Sequence, residues 1–398
     1  MEQHGAWRRT AAGAGLLKSD GTIAATIFAE MSALAAATGS INLGQGFPDE
    51  DGPAGVLEVA LDAIRRGDNQ YPPGRGIPDL LDAIAEHQKR FYGLEVDAGT
   101  EVLVTAGATE ALAATLLALV EPGDEVLTFE PFYDAYGGLI ALAGGTHTTV
   151  PLPWPAFQPD PERLRSAVTD KTRVILVNNP HNPTGSVFTR ETLELVVELA
   201  HKHDALIVTD EVYEHLTFGV AHVPIATLPG ATERTITISS GGKTFNTTGW
   251  KIGWLTAPAE LVTAVLTVKQ FLTYVSGGPF QPAIAAGLRL SDSFFRDLAA
   301  DLTRKRDILS RGLRGAGFEI SHPQGSYFIV ADAASQGFAD AVEFCRSLPE
   351  RAGVVGVPIS AFVSEQHAAE YASLVRFAFC KQEPVLERAA AQLAASAR

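Results

Sequence analysis

The sequence predicts an α/β fold, with a largely parallel sheet between helices and then a smaller α+β domain. Two patterns predict it. From about residue 100, β-branched runs alternate with amphipathic segments: EVLVT precedes ATEALAATLLALV, RVILVNNP precedes RETLELVVELAHKHD, and IGWLTAP precedes AELVTAVLTVKQFL. DEVLTFEP, ALIVTDEVY and TITISS supply further strands. Strand, helix, strand at this cadence argues for parallel pairing with helices on both faces. Further on, the long periodic segment SFFRDLAADLTRKRDILSRGLRGAG ends in glycine and gives way to the shorter pieces FEIS, SYFIVAD and LVRFAFC. It reads as the helix leading into the second domain.

The expected division is a loose extension over 1–21, which is rich in Ala and Gly without a period, and a segment over 22–50 that packs with the small domain. A large domain over 51–293 and a small domain over 294–398 complete it. With 398 residues, 46% hydrophobic and 19% charged, the chain has material for both cores. A net charge of −15 would repel a phosphate backbone or an anionic bilayer, so neither nucleic acid nor a membrane is an expected partner. Only Cys345 and Cys380 occur, both in apolar contexts, which suits two buried thiols in a reducing cytoplasm. No apolar run follows Arg8 and Arg9, so no signal peptide is expected.

In a parallel sheet ligands bind beyond the carboxyl ends of the strands, so the residues after each run are the candidates. Gly107, Ala108 and Thr109 follow EVLVT and open a helix, where free N–H groups could cradle a phosphate. Phe132 and Tyr133 follow DEVLTFEP and could stack on a planar ring, or be core. Asn182 sits in the Asn- and Pro-rich turn after RVILV. Asp210 ends an apolar run, with Tyr213 three residues on, and a buried carboxylate needs a partner. Ser240 precedes Lys243 by three residues and Lys251 follows it by eight; crowding by apolar and cationic neighbours would make Lys243 a better nucleophile. Together these offer a phosphate cradle, a stacking ring, two donors, a carboxylate and an amine, the parts of one cofactor site.

With Asn182-Pro183-Thr184-Gly185, Asp210-x-x-Tyr213, Ser240-x-x-Lys243 and Lys251 in this order, the chain resembles the class I/II aminotransferases of the fold-type I pyridoxal-phosphate enzymes, from about Asn42 to the C-terminal region. That resemblance implies a mostly parallel seven-stranded sheet and pyridoxal 5′-phosphate as cofactor. It implies that Lys243 holds the cofactor as a Schiff base and shuttles a proton, that Asp210 pairs with the ring nitrogen, and that Asn182 and Tyr213 bond the phenolic oxygen. Tyr133 would stack on the ring. Gly107, Ala108, Thr109, Ser240 and Lys251 would hold the phosphate, Lys251 keeping the charge where some branches carry arginine. Arg376, in LVRFAFC, matches the arginine that takes the substrate α-carboxylate. Gly46, in NLGQGFPD, belongs to the segment that closes over substrate. Tyr71, in NQYPPG, matches a tyrosine that reaches the neighbouring subunit's phosphate, which implies a homodimer with shared sites.

INLGQGFPDEDGP, NQYPPG, EPFYDAY and RFAFCK are most similar to the kynurenine/glutamine transaminase branch and to the actinobacterial N-succinyldiaminopimelate aminotransferases. The expected reaction is a ping-pong transfer of an amino group from an L-amino acid to a 2-oxo acid. Candidate substrates are N-succinyl-LL-diaminopimelate and glutamate, or kynurenine, glutamine and methionine. A cysteine-conjugate β-lyase is the alternative, since the same carbanion can expel a leaving group, and a ligand-sensing regulator is a remoter one. Phe47, Tyr136, Phe280 and Tyr327 are candidates for the substrate side-chain pocket, and Arg75 for a distal acidic group.

Overall fold

The structure is a computed structural model that describes residues 5–396. Seven strands form the main sheet: Val102–Thr105, Glu125–Glu130, Thr146–Pro151, Thr172–Asn178, Leu206–Asp210, Thr235–Ser240 and Gly253–Thr256. Across the sheet their order is 102–105, 253–256, 235–240, 206–210, 172–178, 125–130, 146–151. All neighbours pair in parallel except 253–256, which runs antiparallel to both of its neighbours. The link into that strand holds only the short helix Gly241–Thr244 and a 3-10 turn, with no crossover helix to carry the chain back across the sheet.

The central strands are buried along almost their whole length because helices cover both faces. Gly107–Leu119 and Ala259–Lys269 pack together over one set of strand side chains, and Arg190–Lys202 contributes to the core on the other. Among the elements not read from the sequence are the strand Thr146–Pro151 and the helix Ala135–Ala143 before it. THTTVP lacks an apolar run because it is the sheet's edge, with four of its six positions incompletely buried.

The 24-residue helix Asp292–Gly315 leads into the small domain, where it packs on Glu383–Ser396. A four-stranded sheet there has the order Val357–Pro358, Leu374–Ala378, Phe328–Asp332, Glu319–Ile320, all antiparallel. Ile41–Asn42 pairs in parallel with Val354–Val355, which attaches the chain before residue 50 to this domain.

The segment expected to be a loose extension is different. Residues 1–4 lie outside the described residues, and the helix Ala6–Gly13 docks on Ala135–Ala143. A Cβ added at Gly13 would lie 2.5 Å from the Ala141 Cβ, so the helices meet at a backbone-to-backbone contact that only a residue without a side chain allows. The Ala and Gly content that read as looseness is what permits this packing. Among the described residues no helix is long and apolar enough to cross a membrane, and both cysteines are buried and free.

Candidate active site

A cavity of about 140 Å³ opens at the carboxyl ends of the parallel strands, lined by Gly107, Ala108, Thr109, Tyr133, Asn178, Asn182, Asp210, Tyr213, Ser240, Lys243 and Lys251. The strand-end rule therefore brings together residues that are more than a hundred positions apart in sequence.

At one end, Gly107 begins the helix Gly107–Leu119, whose first backbone N–H groups have no partner within the helix. Gly107 has φ +77°, and a Cβ there would come within 3.2 Å of Lys251 Nζ; a Cβ at Gly253 would strike the Gly107 carbonyl carbon at 2.5 Å. The glycines let a helix N-terminus, a lysine and a neighbouring strand crowd into one positive pocket. Lys251 itself holds a left-handed φ of 56°.

At the floor, Asp210 is 5% exposed and ends its strand. Its Oδ2 accepts a hydrogen bond from Tyr136 Oη at 2.7 Å. Burial pushes the carboxyl above its usual range, against the bond from Tyr136 and the charge of Lys243. Asn178 fixes both walls, donating from Nδ2 to the Asp210 carbonyl at 2.9 Å and accepting from the Asn182 N–H at 2.7 Å.

Lys243 is partly buried, and among the described residues its Nζ has no hydrogen-bond or ion-pair partner. It stands 5.8 Å from the Tyr213 ring centroid and 6.0 Å from that of Tyr327. Burial lowers its pKa, while Cys380 and Asp210 act in the opposite sense and Lys251 and Arg376 reinforce the fall. A lysine so placed is more often the free amine than one in water.

Across the opening, Arg376 is 4% exposed. Its Nη1 donates to Asn182 Oδ1 at 3.1 Å and its Nη2 to the Gly44 carbonyl at 2.7 Å, while its Nε is buried without a partner. Phe328, Phe362 and Phe28 surround the guanidinium at 4.2, 4.6 and 5.4 Å. Because Arg376 occupies the Asn182 oxygen, the Asn182 amide nitrogen remains free to donate. Gly46 lies against the same rings, where a Cβ would be 2.6 Å from Phe328 Cζ.

Tyr133 lines the cavity with its pKa pushed up to about 12, chiefly by burial and then by Asp134. Phe132, the other candidate there, is buried core. Phe47 is half exposed at the mouth. Tyr71 is 81% exposed, edge-on to Tyr274, and does not reach the cavity of its own chain.

Tyr136 and Phe280 depart from expectation. Tyr136 is not a pocket wall; its hydroxyl is committed to Asp210 in the interior. Tyr327 is buried and borders a small cavity together with Lys243, and its hydroxyl donates to the Gly46 carbonyl at 2.7 Å. Phe280 stacks on Trp250 at 4.8 Å, in apolar packing away from the cavity. Arg75 Nη2 donates to the Val102 carbonyl at 2.8 Å, and its Nε is buried without a partner among the described residues. Sequence reading missed Asn178, Asp134 and Phe362. Asn178 ends a strand and could have been found by the strand-end rule; Phe362 arrives from the small domain and carried no local signal.

These residues fit a planar, phosphorylated pyridine: an N–H-rich cradle with a lysine, a ring face at Tyr133, a buried carboxylate and an unpartnered amine. The comparisons agree. A solved N-succinyldiaminopimelate aminotransferase from Mycobacterium tuberculosis is 50% identical and superposes with a TM-score of 0.91 over 94% of this chain and 97% of that one. The methionine aminotransferase of Escherichia coli is 38% identical over 369 residues, 92% of this chain and 95% of its own. Kynurenine–oxoglutarate transaminase 3 of Mus musculus is 38% identical over 392 residues, 91% and 86% of the two chains. The family model for aminotransferases of class I and II matches residues 38–393, and the chain therefore belongs to that family of pyridoxal-phosphate enzymes with a fold-type I core.

Proposed function

We propose that this cleft moves an amino group from an L-amino acid to a 2-oxo acid in two half-reactions, with Lys243 as covalent anchor and proton carrier. The observation that carries this is Lys243 Nζ, without a partner among the described residues and set between a buried carboxylate and a buried arginine. Bound pyridoxal phosphate supplies an aldehyde for the amine and a cationic ring that withdraws electrons from the substrate α-carbon.

Asp210 is the residue that would hold the ring nitrogen in its protonated form, with Tyr136 fixing the carboxylate. Asn182 Nδ2 and the Tyr213 hydroxyl would hold the phenolic oxygen, and Tyr133 the ring face. The N–H groups from Gly107 to Thr109, with Ser240 and Lys251, would hold the phosphate. Arg376 fixes the substrate α-carboxylate through its Nη atoms, which sets the α-hydrogen toward Lys243. Lys243 Nζ then removes that proton and returns it, a task suited to an amine whose pKa burial has lowered. Gly46 and Phe47 exclude water from the front.

Exposed Tyr71 supports a homodimer in which this side chain serves the partner's phosphate pocket. The two free, buried thiols support a reducing cytoplasm. Purified holoenzyme mixed with a broad panel of amino acids should lose the visible absorbance of the lysine-bound cofactor and regain it with a 2-oxo acid. No change with any amino acid would sink the reading.

A further inference from the structure

In front of Lys243 lies a second void of about 310 Å³, which Arg376, Phe28, Gln45 and Phe47 help to enclose. A separate, open groove of about 340 Å³ runs along Asn42, Asp49, Val385 and Arg388. Gln45 and Phe47 are the residues that border both spaces. They form the wall between the place of a substrate seated on Arg376 and the outer groove.

The two halves of this wall are fixed by different means. Gln45 Nε2 donates to Ser32 Oγ at 2.6 Å, which ties it to the helix Ile27–Thr38. Phe47 is half exposed and joins none of the apolar clusters of the described residues. What meets it is Lys381, whose Nζ donates to the Phe47 carbonyl at 2.7 Å and stands 4.5 Å from the Phe47 ring centroid. Lys381 is 6% exposed, and among the described residues it has no ion pair. A buried ammonium without a carboxylate needs its charge answered, and here a carbonyl dipole and the negative face of a ring answer it. The carbonyl bond fixes the backbone of Phe47 and the ring contact fixes where its side chain lies, so one lysine sets both.

The chain brings Lys381 there by way of Arg376. Arg376 lies in the strand Leu374–Ala378, and Lys381 follows three residues after that strand ends. The next residue extends the grip, since the Gln382 N–H donates to Asp49 Oδ1 at 2.8 Å. The stretch that seats the α-carboxylate therefore also holds the front wall.

We propose that Lys381 is a positioning residue for substrate recognition. By gripping the carbonyl and the ring of Phe47, it holds that ring as the surface on which a donor's side chain packs and keeps the void closed from the outer groove. The inference rests on the aminotransfer reading above and concerns how a long side chain is held.

Methionine and alanine share the α-carbon end and differ in whether the side chain reaches that wall. With the holoenzyme, half-reaction kcat/KM for methionine should exceed that for alanine by about tenfold or more. Lys381→Met keeps the apolar stem and removes the charge and the donor. It should retain the lysine-linked absorbance and lower the methionine-to-alanine ratio by about fivefold, on the order of one buried methylene. Lys381→Arg, with a cation and donors of its own, should keep the ratio within about twofold. Phe47→Ala should lower the ratio as Lys381→Met does, and the two together should lower it no further, because they remove one contact. A wild-type preference for alanine, a ratio unmoved by Lys381→Met, or a loss that persists undiminished in the Phe47→Ala background would overturn the proposal. Should Lys381→Met not fold, Phe47→Ala and Lys381→Arg carry the test, and a ratio that Phe47→Ala leaves unmoved overturns it. Silence toward every amino acid is a different result and overturns the aminotransfer reading together with this one.

Discussion

Asp210 and Glu214 stand four residues apart, one at the end of a central strand and the other in the turn beyond it, and each is 5% exposed. Their surroundings differ. Asp210 faces the cavity, accepting from Tyr136 at 2.7 Å and, at the longer distance of 3.4 Å, from the Val212 N–H, and burial raises its carboxyl. Glu214 faces inward to a polar cluster, where Tyr92 Oη and Ser239 Oγ each donate to it at 2.6 Å. Burial would raise its carboxyl too, but His87, His215 and the two bonds outweigh it, and the pKa falls. His87 and His215 join Nε2 to Nε2 at 2.7 Å, and Glu211 accepts from His222 at 2.7 Å close by. One carboxylate is left with capacity to bind something and the other is consumed by the fold. Degree of burial does not separate a site from a scaffold here; unspent bonding capacity does.

The largest test of that contrast is Lys243, the amine with no partner among the described residues. Lys243→Ala should fold, lose the lysine-linked absorbance and lose turnover by about 10⁴-fold or more. Retained turnover would overturn its assignment. Next are the amide substitutions on either side of the comparison. Asp210→Asn should cut kcat by about 10²-fold or more with little change in melting temperature, because a ring nitrogen no longer meets an anion. Glu214→Gln should do the reverse: about 1–3 kcal/mol of unfolding free energy lost in denaturant titration, and kcat reduced far less than by Asp210→Asn. If the two variants behaved alike, the distinction between them would fail.

The smallest effect is on pH. Burial lowers the pKa of His147 to about 4 and of His181 and His215 to about 3, from a usual 6.5. Below pH 6.5 the unfolded chain therefore binds more protons than the folded one. The stability these three histidines confer by staying neutral is complete above pH 6.5 and is lost progressively toward pH 3–4. Melting temperature should fall between pH 7 and pH 5, and a rise on acidification would contradict their neutral burial.

Legibility followed the same physics. The central strands and their helices were readable because burial on both faces forces continuous apolar runs, as in Thr172–Asn178 and Leu206–Asp210. Thr146–Pro151 was not, because an edge strand need not be apolar. The N-terminal helix was misread because it is only 8 residues long, too short for a period to stand out, and its docking depends on close approach to Ala135–Ala143. In the site, Asp210, Asn182 and Lys243 were found by position after strands. Tyr136 and Phe280 were misjudged because aromatic character does not reveal which group a side chain meets.

By itself the sequence determined the layered α/β core, since apolar period and strand-to-helix cadence are local properties, and it determined which residues stand at strand ends. Only the tertiary structure decided which polar groups are spent. Tyr136 on Asp210, Arg376 on Asn182 and Gly44, and Tyr327 on Gly46 are contacts across 74 to 332 positions, and among the described residues the absence of such a partner is what marks Lys243. A hydrogen bond is settled within about 3 Å, a distance to which chain order is blind.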